Sequence, residues 1–190
     1  MIIVFKKYKK LKSSFYRLIY RKNIFDSLIE EERTINLKLT FNEIVLGYEN
    51  ATNVITCVIN PYCNACAAEF NNIKNLLILK PNSFKIVIRF MNDYSIYSDL
   101  QNVTSIYLTN CYYTYGKNKF MEILTKWFNS KDLKQFSKKY KTHYHKKAND
   151  LILKNLEWTD EIEITETPCV FLGNKRLPSY YSLDSLINLI

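Results

Sequence analysis

The residues with the most chemistry in reach are Cys63 and Cys66, two thiols three positions apart in the stretch NPYCNACAAEF, Asn60 to Phe70. A C-x-x-C pair serves as a redox dithiol, as half of a metal clamp, or as two ordinary buried thiols. Redox work requires a thiolate at neutral pH, a second thiol within one helical turn, and a surface on which a partner chain can lie. A structural zinc site requires four ligands, usually a second C-x-x-C or two spaced histidines. No second pair exists here. His143 and His145 stand two apart among lysines, a spacing that on a helix sends them to different sides, so no metal site is expected. Cys57 and Cys111 lie in apolar strand and helix contexts and read as core thiols.

The elements around the pair sharpen the choice. NVITCVIN, just upstream, is β-branched and continuously apolar, the pattern of a strand buried on both faces. It ends at Asn60-Pro61, where proline cannot continue a ladder, and Ala67, Phe70, Ile73, Leu76 and Leu77 then take up helical spacing. Cys63 therefore falls where a helix begins. Unpaired N–H groups and the helix dipole there favour its anion and lower its pKa, and Cys66 sits one turn deeper, placed to attack a mixed disulfide on Cys63.

Further out, INLKLTFNEIVLGYEN alternates from Ile35 to Val45 as a strand does, with a turn at Gly47. FKIVIRFMN, Phe84 to Asn92, is a second buried strand. Between Tyr97 and about Trp158 there is no proline and one glycine, Gly116, which predicts three or four helices. Their breaks are expected at Gly116, at NSKD with Ser130 as a cap, and near Thr142. TPCVFLGNKRLP predicts a strand, a turn at Gly173-Asn174 and a short strand ending at Pro178, and a helix from Ser182 to Ile190 closes the chain. At the other end, Phe5 to Arg33 reads as a basic amphipathic helical extension. It fits a helix packed on the main body, or a membrane-surface or linker segment.

Composition excludes several classes. A chain of 190 residues, 47% hydrophobic, has enough apolar material for one folded domain with a core. Only 3 Gly and 4 Pro leave few sharp turns, which disfavours a barrel or sandwich of many short strands. The net charge of +9 invites a nucleic-acid reading, yet no recognition-helix or RNA-binding signature accompanies it. The lysines travel with Asn, Ile and Tyr, as in a protein encoded by AT-rich DNA, so nucleic acid is not an expected partner. No apolar run approaches the roughly 20 residues of a membrane-spanning helix, and the first residues do not follow a signal-peptide pattern. An odd count of 5 Cys argues against a fully paired secreted scaffold.

Taken together, ITCVIN, NPYCNACAAEF, KIVIRF and the distal TPCVFLGNKRLPSYYSLDSL resemble a thioredoxin-fold thiol-disulfide oxidoreductase. The resemblance implies an α/β fold: a thioredoxin-like central sheet over 35–190, a DsbA-like helical insertion at about 95–160, and an N-terminal helical extension, 1–34. More narrowly, NPYC..CA with TP.VF..NKRLPSYYSLDSL resembles the thioredoxin domain of bacterial vitamin K epoxide reductase family proteins, and the basic helix resembles their connecting segment.

By resemblance, Cys63 is the attacking thiol, Cys66 the resolving thiol and Pro168 a cis-proline facing the pair, with Thr167 and Tyr62 as substrate contacts. No cofactor is implied. The implied partners are protein or peptide thiols and disulfides and a membrane quinone-linked protein of the vitamin K epoxide reductase type, in a periplasmic or membrane-associated setting. Two departures stand out. The pair encloses Asn64-Ala65, so the resemblance sets neither reduction potential nor direction. Cys169 replaces the usual small hydroxyl or apolar residue after the proline, as a buried filler or as a third thiol near the pair. The competing readings are a non-catalytic peptide-binding module of the same fold and a zinc-binding protein. Two thiols opposite a Thr-Pro argue against the first.

Overall fold

The computed structural model of the protein describes residues 2–37, 42–92 and 98–190. Five strands form one sheet: β1 (Ile44–Gly47), β2 (Asn53–Ile59), β3 (Phe84–Phe90), β4 (Cys169–Leu172) and β5 (Lys175–Arg176), in the order β1-β3-β2-β4-β5. The apolar run of β2 takes the centre, between β3 and β4, where a strand has neighbours at both edges and cover on both faces, and Ile55 to Ile59 are buried throughout. β2 and β3 run parallel, so a crossover must join them. Helix α3 (Asn64–Leu79) is that crossover, laying Cys66, Phe70, Ile73 and Leu76 into the core. The remaining strand pairs are antiparallel.

The expected strand from Ile35 to Val45 is shorter than its alternation implies. Only Ile44–Gly47 pairs with β3, while Thr34 bridges Lys175 and the Ile35 N–H donates to the Asn174 carbonyl at 2.9 Å, at the opposite edge of the sheet. Alternation records half-burial and does not say which edge a segment lies on; residues 38–41 of the expected strand lie outside the described residues. Gly47 ends β1 at φ 78°, where a Cβ would sit 2.5 Å from the Phe84 carbonyl oxygen.

The helical block is α4 (Ser98–Ser130), α5 (Leu133–Lys139) and α6 (Lys146–Glu161). Gly116 breaks α4 at φ 73°, ψ 170°, where the sequence put the break. The cap of α5 is Asp132, not Ser130: its Oδ1 accepts the Gln135 N–H at 2.9 Å, an anion at a helix N-terminus. Residues 93–97, at the start of the expected insertion, lie outside the described residues. His143 and His145 stand on the connection before α6 rather than on a helix, and the His145 N–H donates to Asn110 Oδ1 at 3.0 Å. The closing helix is a 3₁₀ turn, Leu183–Ser185, followed by α7 (Leu186–Leu189).

The extension is two helices, α1 (Ile2–Ile19) and α2 (Lys22–Glu31). Phe25 of α2 is buried edge-on against Tyr181, which fixes this part of the extension on the body. Under β3, Arg89 and Glu43 form a buried ion pair at 2.7 Å, with the guanidinium 4.1 Å from the centre of the Trp158 ring. Among the described residues no helix is long and apolar enough to cross a membrane.

Candidate active site

Asn60 shapes the turn that carries the cysteines. Its Oδ1 accepts the Tyr62 N–H at 2.8 Å and its carbonyl accepts the Cys63 N–H at 3.1 Å, so the chain leaves β2 and turns straight into α3. The amide of Asn60 is buried and donates to Gln101 Oε1 at 2.8 Å. The helical block holds the same turn from outside. Trp127 Nε1 donates to the Pro61 carbonyl at 2.9 Å, and Lys131 Nζ donates to the Tyr62 carbonyl at 2.7 Å and to Asn64 Oδ1 at 2.5 Å. Tyr62 packs edge-on against Trp127 and its hydroxyl pairs with Thr104 at 2.9 Å.

Cys63 is the N-cap residue of α3, and its Sγ accepts the Cys66 N–H at 3.2 Å. Its thiol lies 3.4 Å from the Thr167 carbonyl oxygen, to which it donates, and the Thr167-Pro168 peptide bond is cis. A segment 104 positions downstream is thus brought up against Cys63 Sγ. Partial burial works against the Cys63 anion, but the donors outweigh it. The Cys66 thiol and amide, the Thr167 side chain and the Ala65 amide bring its pKa below the ordinary thiol value. Cys66 is the opposite case. Fully buried, with its sulfur accepting the Asn60 N–H at 3.4 Å, it is pushed up to about 12, chiefly by loss of water. One thiol of the pair is partly open to solvent and lowered, the other enclosed and raised. All five cysteines are thiols in this structure.

Two hollows flank this point. One of about 660 Å³ runs along Ala65, Ala68, Pro168, Val170 and Tyr181, and one of about 260 Å³ is bordered by Tyr62, Cys63, Met91, Asn92 and Thr167. The structure therefore brings the five residues singled out in the sequence, Tyr62, Cys63, Cys66, Thr167 and Pro168, to one place. Cys169 is buried in a small cluster with Val58, Met91, Trp158, Ile164 and Phe171, and burial pushes its thiol up to about 11. Cys57 and Cys111 are core thiols, as their contexts implied. Sequence reasoning missed Gln101, Thr104, Trp127 and Lys131. Only the Asn-Pro step announced the turn they brace, and nothing local to a helix says which distant loop it will support.

Comparison with known proteins agrees with this architecture. The family model described as thioredoxin matches residues 40–190, and the chain belongs to that family. No curated protein matches it. Among solved structures it is similar to the catalytic domain of Proteus mirabilis ScsC, at 16% identity and TM-score 0.66, covering 80% of this chain and 90% of that one. It is also similar to BdbD from Bacillus subtilis, at 11% identity and TM-score 0.62, covering 82% and 92%. A thioredoxin-like oxidoreductase from Silicibacter pomeroyi DSS-3 is a third, at 11% identity and TM-score 0.63, covering 79% and 91%.

Proposed function

We propose that the protein is a thiol-disulfide oxidoreductase that exchanges disulfides with protein substrates through Cys63 and Cys66. The observation that carries this reading is the asymmetry of the pair: a lowered, partly exposed Cys63 thiol at the start of α3 beside a buried Cys66 thiol held near 12. A nucleophile must be ionised and reachable; a resolving thiol must stay silent until it is needed.

In the reducing direction, Cys63 thiolate attacks one sulfur of a substrate disulfide, forming a Cys63–substrate disulfide and expelling a substrate thiolate that takes up a proton. Cys66, giving up its proton, then attacks Cys63 Sγ, closing the internal disulfide and releasing the second substrate thiolate. Two electrons pass to the substrate. In the oxidising direction the same steps run backwards from the Cys63–Cys66 disulfide. The groups of Thr167 at the cis peptide and the side chain of Tyr62 border the approach to Cys63, and we assign them to the substrate's backbone on either side of its cysteine.

Within this reading, residues 35–190 form the oxidoreductase domain, with the helices at about 95–160 inserted in it, and 1–34 an accessory extension. A membrane quinone-linked protein of the vitamin K epoxide reductase type is the partner that would recycle the pair, on the strength of the NPYC and TP.VF motifs. An extracytoplasmic setting accords with it, as a similar structure from Salmonella enterica serovar Typhimurium is described as a periplasmic thioredoxin-like protein.

Insulin reduction and dithiol oxidation, run on the wild type and on Cys63→Ser, test the proposal. Loss of both activities in the variant is expected; equal rates for the two proteins would overturn it in favour of a non-catalytic peptide-binding module. A Cys66→Ser variant should accumulate mixed disulfides with its substrates.

A further inference from the structure

From Val4 to Leu18 the first helix keeps its apolar side chains out of the core. Val4 and Leu11 are 72% and 71% exposed, and Phe5, Tyr8, Phe15 and Leu18 are also open to solvent, while Ile19 in the last turn is buried. Val4, Tyr8, Leu11, Phe15 and Leu18 follow one another at steps of four and three, so they form a single stripe along the helix. Lys6, Lys10, Ser13 and Arg17 follow the same steps on the opposite side.

Charge is distributed just as unevenly. The first 25 residues hold eight Lys and Arg and no Asp or Glu, so eight of the chain's nine net positive charges sit there, and the other 165 residues are close to neutral. Lys9 and Lys12 lay their ammonium groups over the rings of Phe5 and Tyr16, at 4.7 and 5.8 Å from the ring centres, covering apolar surface while keeping the charge wet.

Among the described residues, α1 is tied down at its end. The Tyr181 hydroxyl donates to the Ile19 carbonyl at 2.6 Å, Tyr20 and Ser185 share a hydrogen bond at 3.0 Å, and Phe15 meets the Tyr180 ring edge-on.

We propose that α1 docks on a lipid bilayer containing anionic lipid. It lies in the plane of the headgroups, with Val4, Tyr8 and Leu11 at the acyl boundary and its lysines among the phosphates. The combination of stripe and charge selects this occupant. A second copy of the helix would match the 4-3 stripe, but each copy brings cations and no carboxylate, so nothing pairs across the seam and like charges meet. A nucleic acid would accept the cations and leave the stripe in water. An anionic bilayer takes both. Tyr181 grips the end of α1 and also lines the hollow beside Pro168, so a docked α1 would hold the site next to the membrane surface.

The docking is independent of the thiol chemistry, and Cys63→Ser should bind vesicles as the wild type does. The test is flotation of the full chain with vesicles of phosphatidylcholine, alone or mixed with phosphatidylglycerol, at low and high salt. Binding to the mixed vesicles alone, weakened by salt, is expected. Lys6→Gln/Lys10→Gln should lower the partition coefficient about thirtyfold, and Leu11→Gln by at least about tenfold. Circular dichroism and exchange activity in solution should not change in these variants, since all three side chains are exposed. Absence of vesicle binding, equal binding to neutral vesicles, or binding that survives these substitutions would overturn the proposal. So would self-association or retention on duplex DNA, lost on the same substitutions, in a protein that ignores vesicles.

Discussion

Native-state alkylation should separate Cys63 from the other four cysteines, and the structure sets by how much. The thiolate is the reacting species, so labelling follows ionisation and access together. Cys66 is pushed up to about 12 by burial. Against an ordinary thiol near 8.5, that cuts its thiolate share at neutral pH roughly three-thousandfold. Cys57 and Cys169 are 0% and 1% exposed, and Cys111 is pushed up to about 12 as well. Cys63 moves the other way and is partly open to solvent. Iodoacetamide at neutral pH, on reduced native protein followed by mass spectrometry, should therefore add one label, on Cys63; in denaturant all five cysteines should react. The pH at which Cys63 labelling reaches half its maximum should lie below that of the denatured chain's thiols. Labelling of Cys66 at a rate near that of Cys63, or a Cys63 profile no lower than the denatured one, would refute the asymmetry on which the proposed function rests.

Three further outcomes follow from burial and close packing. Reduced protein should lose stability as pH rises from about 8.5 towards about 11, by roughly 1.4 kcal/mol per pH unit for each buried thiol, because the unfolded chain then binds fewer protons than the fold. The raised thiols are Cys57, Cys66, Cys111 and Cys169; the lowered Cys63 contributes with the opposite sign, its gain complete above the ordinary thiol range and lost as pH falls through its folded pKa. Urea midpoints across that range check this, and a rise with pH would contradict it. Glu43→Leu leaves the Arg89 guanidinium buried without its 2.7 Å carboxylate partner. A cost of about 3–5 kcal/mol is expected, mostly recovered in Glu43→Leu/Arg89→Met. Denaturant unfolding of the two variants decides, and a single-variant loss under about 1 kcal/mol would count against it. Gly47→Ala forces a Cβ to 2.5 Å from the Phe84 carbonyl and 2.7 Å from Leu77 Cδ2 at φ 78°. It should cost at least about 1–3 kcal/mol, visible as a lowered thermal midpoint.

Much of this protein was written in local pattern. The β-branched run of β2, the Asn-Pro stop and the helical spacing after Cys63 are short-range signals, because a strand's end and a helix's start depend on residues within a turn of one another. They place Cys63 at the head of α3 and Cys66 one turn in. The family resemblance added the pairing with Thr167-Pro168, which no spacing rule supplies. Where the pattern misled, position was the reason: Ile35 to Val45 alternates whichever sheet edge its parts reach, and Asp132 took the cap because Ser130 still belongs to the end of α4 and Asp132 is the residue directly before α5.

The tertiary structure alone decided the rest. It carried the Thr167 carbonyl to 3.4 Å from Cys63, closed water away from Cys66, and set Trp127 and Lys131 against the turn they hold. Burial and long-range contact are properties of the packed chain, so the ionisation of the two thiols, which the sequence could only anticipate for Cys63, is fixed by what the fold brings around them.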